Sequence, residues 1–335
     1  MKFLVLGGTT FVGPAVVDDA LARGWEVTVA HRGRSGLDPT HGEVDEVLLD
    51  RTEPATFDNL GDREFDAVLD TWSGAPVVAR DTARALAGRT GRWAYVSSQS
   101  VYTWPPAVGA DESFPVVAAD PDAAATDYPQ DKRGAELALA RELGEDRVVM
   151  LRAGLILGPR ENIGRLPWWL RRIARGGRVV APGPADLGIQ HVDARDLAAL
   201  ALDAVSDGRS GPVDVVSPVG TATIGDVLTT CVEVTGSDAE LVWVDPQVVL
   251  EHDVAPWTEL PIWLPPEDES YAMYRSDVSR ALAWGLRNRP VAQTVADTWG
   301  WVQQVDAAGT APPPRPETGL DPEKEAAVLA AWDAR

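Results

Sequence analysis

A single cysteine, Cys231, in 335 residues leaves the chain without an internal disulfide, and its apolar neighbours mark it as a small buried hydrophobe. No stretch approaches the roughly 20 uninterrupted apolar residues that a membrane-crossing helix needs. The four histidines are far apart, and no pair has a metal-ligand spacing, so metal catalysis is not expected. No Gly-x-Ser-x-Gly turn is present, which removes the usual support for a serine hydrolase. The first residues, MKFLVLGG, run straight into a strand pattern without the apolar core and cleavage site of a secretory signal. A cytoplasmic location is the expectation. Basic residues are few: 30 Lys and Arg stand against 51 Asp and Glu, a formal net charge of −21. A field of that sign repels phosphate backbones and anionic lipid, so neither nucleic acid nor a membrane is an expected partner.

With 45% hydrophobic and 24% charged residues, the chain can bury a sizeable core. Short β-rich runs at Lys2–Leu6, Glu26–Ala30, Val44–Leu49, Ala67–Thr71, Arg92–Ser97, Arg147–Ala153 and Val213–Val216 alternate with helical patterns. The helical patterns cover Pro14–Arg23, Asp127–Glu142 and Asp193–Ser206. Such alternation predicts a parallel sheet covered on both faces. Beyond about residue 154 the texture changes to tryptophans (Trp168, Trp169, Trp243, Trp257, Trp263, Trp284) and prolines (Pro256, Pro261, Pro265, Pro266). Residues 1–153 and 189–217 are therefore read as one domain, and 154–188 with 218–305 as a smaller substrate lobe. Residues 306–335 form a proline-rich linker, Thr310–Pro316, and a helical tail whose Leu329 and Trp332 call for a docking surface.

Gly7-Gly8-Thr9-Thr10-Phe11-Val12-Gly13 sits between the first strand and the first helix, where a dinucleotide fold places its phosphate loop. Gly7 permits the turn, Gly13 lets helix and sheet approach, and the helix N-terminus offers partial positive charge to a pyrophosphate. The fold class that follows is a Rossmann-type, doubly wound α/β sheet with a smaller C-terminal lobe. About 20 residues on, an NAD enzyme would carry a carboxylate for the adenine-side ribose. Here the sequence reads Ala30-His31-Arg32-Gly33-Arg34. Two guanidiniums and no acid favour NADP, with NAD as the alternative.

Tyr128 and Lys132 are four residues apart, which on a helix puts phenol and ammonium on one face. A cation beside a tyrosine favours phenolate, and such a tyrosine can exchange a proton with a substrate oxygen. Upstream, Tyr95-Val96-Ser97-Ser98-Gln99-Ser100-Val101-Tyr102 ends a strand in hydroxyls that can hold that oxygen.

These motifs, with LRAGLILGPREN and HVDARDLA further on, resemble those of the extended short-chain dehydrogenases/reductases, in the NAD-dependent epimerase/dehydratase family. The resemblance spans roughly residues 1–300. It implies Ser98, Tyr128 and Lys132 as the catalytic trio, with Lys132 also bonding the nicotinamide ribose. It further implies Gly7, Thr9, Thr10, Phe11, Val12, Gly13, His31, Arg32, Arg34, Asp50, Arg51, Thr71, Trp72, Ala153 and Leu155 along the cofactor, Asp50 and Arg51 near adenine. Three departures from the family stand out. Thr10 replaces the middle glycine, as in one branch. Gln99-Ser100 replaces the Asp-Glu pair of the 4,6-dehydratases. Ile189 stands where nucleotide-sugar epimerases carry the arginine that grips the diphosphate, though Arg165, Arg171, Arg172 or Arg178 could compensate.

Three functions follow. The first is an NADP(H)-dependent reductase or dehydrogenase for a carbonyl or alcohol of a small metabolite. The second is a sugar or sugar-nucleotide epimerase that keeps its cofactor tightly bound. The third is a cofactor-sensing or RNA-associated protein, against which the intact trio and the charge argue. The reading also allows a homodimer. The tryptophan-rich lobe would suit an aromatic ligand as well as a sugar, or would simply be core.

Overall fold

The computed structural model describes residues 1–34, 44–313 and 315–335, so Pro314 of the expected linker lies outside the described residues. The chain divides into two compact units. The first comprises Met1–Gly154, Ala194–Val216 and Asp277–Arg287, and the second Leu155–Asp193, Ser217–Ser276 and Asn288–Arg335.

The first unit is built on a seven-stranded parallel sheet. In chain order its strands and main helices are β1 (Lys2–Leu6), α1 (Val12–Ala22), β2 (Glu26–His31), β3 (Asp45–Leu48), β4 (Phe65–Asp70), α2 (Pro76–Leu86), β5 (Thr90–Ser98), α3 (Tyr128–Leu143) and β6 (Val148–Ala153). A helix, Ala194–Ser206, and the seventh strand, Gly211–Val215, complete it. Across the sheet the order is β3-β2-β1-β4-β5-β6 and then Gly211–Val215. The order reverses between β1 and β4, and open α/β sheets bind ligands outside the strand ends at such a point.

The strands are apolar runs because both faces are covered. Leu4 and Leu6 of β1 join the core under α2 and α3, whereas Val5 and Val29 crowd Val17 of α1 around Gly8. Burying such side chains contributes roughly 1.5–3 kcal/mol each, which offsets the ordering entropy of the strands. The predicted strands and helices are present, with ends shifted by at most two residues, the ordinary fraying of element boundaries.

The second unit has its own core, in which Trp169 and Trp263 are fully buried and Trp168, Trp243 and Trp257 are packed against it. Three boundaries differ from the sequence reading by more than one residue. Residues 189–193 cluster with the second unit, while 277–287, which carry Trp284, belong to the first. The tail is no separate piece: the helix Pro322–Asp333 packs Leu329 and Trp332 on the second core. Buried Glu325 of that helix pairs with Arg172 at 2.7 Å. The lobe also keeps some strand–helix rhythm, since Arg178–Pro182 and Glu240–Val244 pair in parallel. Cys231 is buried there as expected, and burial pushes its thiol pKa up.

Candidate active site

The loop after β1 fits a dinucleotide phosphate. Gly7 has φ +102°, and a Cβ on it would stand 2.3 Å from Thr71 Oγ1. A Cβ on Gly13 would meet the Gly8 backbone at 2.6 Å, so the loop folds on itself only with hydrogen there. Phe11, buried and non-glycine, is held at φ 47° immediately before α1, a strained conformation of the kind that surrounding structure over-determines at binding sites. No side chain caps α1 and no acid stands in its first turn. Among the described residues no side chain therefore takes up the amide ends of this helix start, whose partial positive charge suits an anion. Thr9 is half-buried, Thr10 exposed and Val12 buried. Thr71 Oγ1 donates to the Leu6 carbonyl at 3.0 Å, tying the ends of β1 and β4 together.

Beyond β2, Arg32 and Arg34 are exposed. His31 is buried: Nδ1 accepts the Gly33 N–H at 3.0 Å, and Nε2 lies 2.6 Å from Glu46 Oε1. Its ring therefore shapes the turn through Nδ1, while Nε2 is buried near Glu46 without hydrogen-bond geometry. Asp50 is fixed by Thr52, whose hydroxyl and N–H hold its carboxyl below the usual range; Arg32 and Arg34 add a weaker pull.

Arg51, expected near adenine, is held inside the protein. Its guanidinium is buried, donating to Asp70 Oδ1 at 2.7 Å and to the Leu6 carbonyl at 3.2 Å, and it lies 5.2 Å from the Trp72 ring centroid. A charge out of water needs such a partner, and Asp70 closes the buried strand β4. Trp72 is held from several sides. Its N–H donates to Asp70 Oδ1, its indole Nε1 to Ala75 O, and its carbonyl accepts from Lys132 and Tyr95.

The trio rests on two elements of the same unit. β5 ends at Ser98, which caps the short turn Gln99–Val101: its Oγ accepts the Ser100 N–H and donates to Ser100 Oγ, both at 3.1 Å. Tyr128 opens α3 and is 48% exposed, while Lys132, one turn on, is 3% exposed. Lys132 Nζ donates to Trp72 O at 2.6 Å and Val96 O at 2.7 Å, and lies 5.9 Å from the Tyr128 ring centroid. Burial pushes its pKa down to about 7, against the opposing pull of Asp70 and Glu136. Ala153 pairs in register with Ser98. Leu155 begins the second unit, unlike the other expected cofactor residues.

Sequence reasoning missed the buried charges behind this edge. Arg152 is bidentate on Glu136 at 3.0 and 2.9 Å, and Glu136 also accepts from Ser97 at 2.7 Å and Arg133 at 2.8 Å. The available signal was a charge inside an otherwise apolar strand, VVMLRA. In the second unit, Ile189 is 1% exposed in a strand pair with Ala222. Arg171, Arg172 and Arg178 are paired with Asp306, Glu325 and Asp333, and Arg165 stacks on Trp257. Among the described residues no group of three His, Cys, Asp or Glu could hold a metal, and no helix is long and apolar enough to cross a membrane.

Solved structures similar to this chain share its fold. The Bordetella bronchiseptica enzyme WbmH in complex with NAD+ is 19% identical with a TM-score of 0.68, covering 90% of this chain and 98% of its own. WbmG of the same organism, in complex with NAD and UDP, is 18% identical with a TM-score of 0.67, covering 93% and 97%. UDP-glucose 4-epimerase of Thermus thermophilus in complex with NAD is 19% identical with a TM-score of 0.64, covering 90% and 99%. No curated protein sequence matches the chain. The profile of the NAD dependent epimerase/dehydratase family matches residues 3–217, nearly two thirds of the chain. The glycine cradle, the parallel sheet and this match together make the chain a member of the NAD dependent epimerase/dehydratase family, and thus an NAD-dependent enzyme.

Proposed function

We propose that the protein is an NADP(H)-dependent reductase or dehydrogenase for a carbonyl or alcohol of a small metabolite, with Ser98, Tyr128 and Lys132 as its working residues. The observation that carries the reading is the pairing of half-exposed Tyr128 with fully buried Lys132 on one turn of α3. The phenol meets solvent and substrate, while the ammonium is clamped between two carbonyls and cannot swing away. A bound nicotinamide would supply the hydride acceptor or donor. Ser98 holds the substrate oxygen, Tyr128 passes the proton to or from it, and Lys132 favours the phenolate in its protonated form, which its pKa of about 7 leaves partly populated at neutral pH. Gly7, Gly13 and the start of α1 would hold the pyrophosphate. Screening carbonyl compounds for NADPH consumption tests the activity; turnover of a sugar without net change in nicotinamide absorbance would replace this reading with epimerisation.

Preference for NADP over the family's NAD rests on Arg32 and Arg34, which extend from β2 where a 2′-phosphate would lie. Titration of both cofactors should give tighter NADPH binding, and Arg32→Ala should narrow the gap by about tenfold. Tighter binding of NADH by the wild type overturns the preference.

Epimerisation is the second reading, favoured by the likeness to solved epimerases. A nucleotide-sugar substrate is disfavoured by the buried Ile189 and by the carboxylate partners of Arg171, Arg172 and Arg178.

A further inference from the structure

Beside the Ser98 turn lies a buried carboxylate that the proposed chemistry does not use. Asp214, on the strand Gly211–Val215, is fully buried and in register with Arg152 of β6. Its Oδ1 accepts the Tyr102 hydroxyl at 2.8 Å, and the Gln99 side chain bonds to the same carboxylate. Gln99 opens the short turn that Ser98 caps, and Tyr102 closes it. One carboxylate therefore grips both ends of that turn. Gln99 is confined on another side by Gly154, where a Cβ would come within 2.5 Å of its Oε1. Asp214 Oδ2 is buried without a hydrogen-bond partner.

We propose that Asp214 is a positioning residue, which through Gln99 and Tyr102 sets the orientation of the turn presenting Ser98. The inference rests on the assignment of Ser98 to the substrate oxygen. Four elements surround the carboxylate. β6 contributes Arg152, whose Nη1 donates to the Tyr102 oxygen at 3.2 Å. The turn contributes Gln99 and Tyr102. The segment after it contributes Glu112, whose Oε1 accepts the Asp214 N–H at 2.9 Å, and Arg280 faces Glu112 at 3.6 Å. Behind Arg152 stand Glu136 of α3 and its partner Arg133.

Burial foremost, with the Glu112 charge, raises the Asp214 pKa to about 7 against the pull of Tyr102, Arg152 and Gln99. Above that pH the charged carboxylate accepts strongly from both ends of the turn. Below it the neutral acid accepts more weakly and holds a proton for which Oδ2 has no acceptor. The turn is thus firmer above neutrality than below.

Hydrogen–deuterium exchange on the full chain, without substrate or cofactor, reads this directly. After correction for intrinsic exchange, a peptide covering residues 97–103 should lose about tenfold protection between pH 8 and pH 6. Asp214→Asn should show the low protection at both pH values, with the peptides of β1 and β4 unchanged. Wild-type protection that is flat with pH, or an Asp214→Asn profile identical to wild type, overturns the proposal. Should Asp214→Asn fail to fold, Gln99→Ala carries the test: it releases one end, so the pH step must shrink, and an undiminished step overturns the clamp. The measurement needs no turnover, so its failure leaves the role of Ser98 standing. Conversely, a Ser98→Ala enzyme with full activity removes that role without touching the exchange result.

Discussion

Buried polar groups are arranged differently in the two units. In the first they join into chains behind the C-terminal ends of the strands: Arg51 to Asp70 to Trp72 to Lys132, and Ser97 to Glu136 to Arg152 to Tyr102 to Asp214. In the second they form smaller, separate clusters: Gln190 donates to Ser217 O and Ser276 O, and Thr294 donates to Asp193. Glu161 accepts the N–H groups of Arg165 and Leu166 at a helix start, Arg172 meets Glu325, and Thr298 bonds back to the carbonyl of Thr294. Long connected buried networks are costly to build and fix geometry tightly, whereas smaller clusters constrain fewer groups at once. The contrast teaches that the first unit is organised to orient groups at one sheet edge. The tryptophans of the second are largely packing: Trp169 and Trp263 are core.

Four changes can break or sharpen that contrast. The largest effect belongs to the first unit. Tyr128→Phe should lower turnover by about 100- to 10,000-fold while preserving fold and cofactor affinity, as steady-state kinetics and a cofactor titration would show. A phenylalanine enzyme at wild-type rate would remove the proton-transfer role. In the second unit the large effect is on stability alone. Trp169→Ala removes a fully buried indole whose Nε1 donates to Pro261 O at 2.7 Å, and should cost about 3–5 kcal/mol in urea unfolding. A loss under about 1 kcal/mol would show that this region repacks freely.

Lys132 gives a subtler, pH-dependent effect. Its folded pKa of about 7 lies below the ordinary 10.5, so between those values the unfolded chain holds a proton that the folded chain has released. Stability contributed by this group therefore rises with pH across that window and is flat below it. Comparing urea midpoints of wild type and Lys132→Met at pH 7 and pH 9 isolates the term, and the wild type should gain more on going to pH 9. Equal gains would place the ammonium in water. The smallest effect belongs to the solvent-exposed pair Arg178–Asp333. Arg178→Ala should leave the urea midpoint unmoved, because exposed ion pairs are screened. A clear drop would show that the tail helix depends on that contact.

Much of the first unit was legible in the sequence. Strands such as KFLVL and FDAVLD are short apolar runs that only a doubly covered parallel sheet would bury. The glycine loop and the four-residue Tyr128–Lys132 offset are local, so spacing alone reports them. The roles of Arg51 and His31 were not legible. A charged or polar residue at a strand end reads as available for a ligand until its partner is known, and Asp70 lies 19 residues from Arg51. The boundary at residues 277–287 was also hidden, since a segment returning to an earlier domain carries no compositional mark.

By itself the sequence determined the alternation of elements, the cradle after β1 and the order of the candidate catalytic motifs, because each depends on residues close together in the chain. Tertiary structure alone decided which charges are buried and which carbonyls Lys132 meets. It also decided that Asp214, 112 residues from Tyr102, stands against its hydroxyl. Those facts arise where strands distant in sequence become neighbours, and the low dielectric there makes the choice of partner energetically decisive.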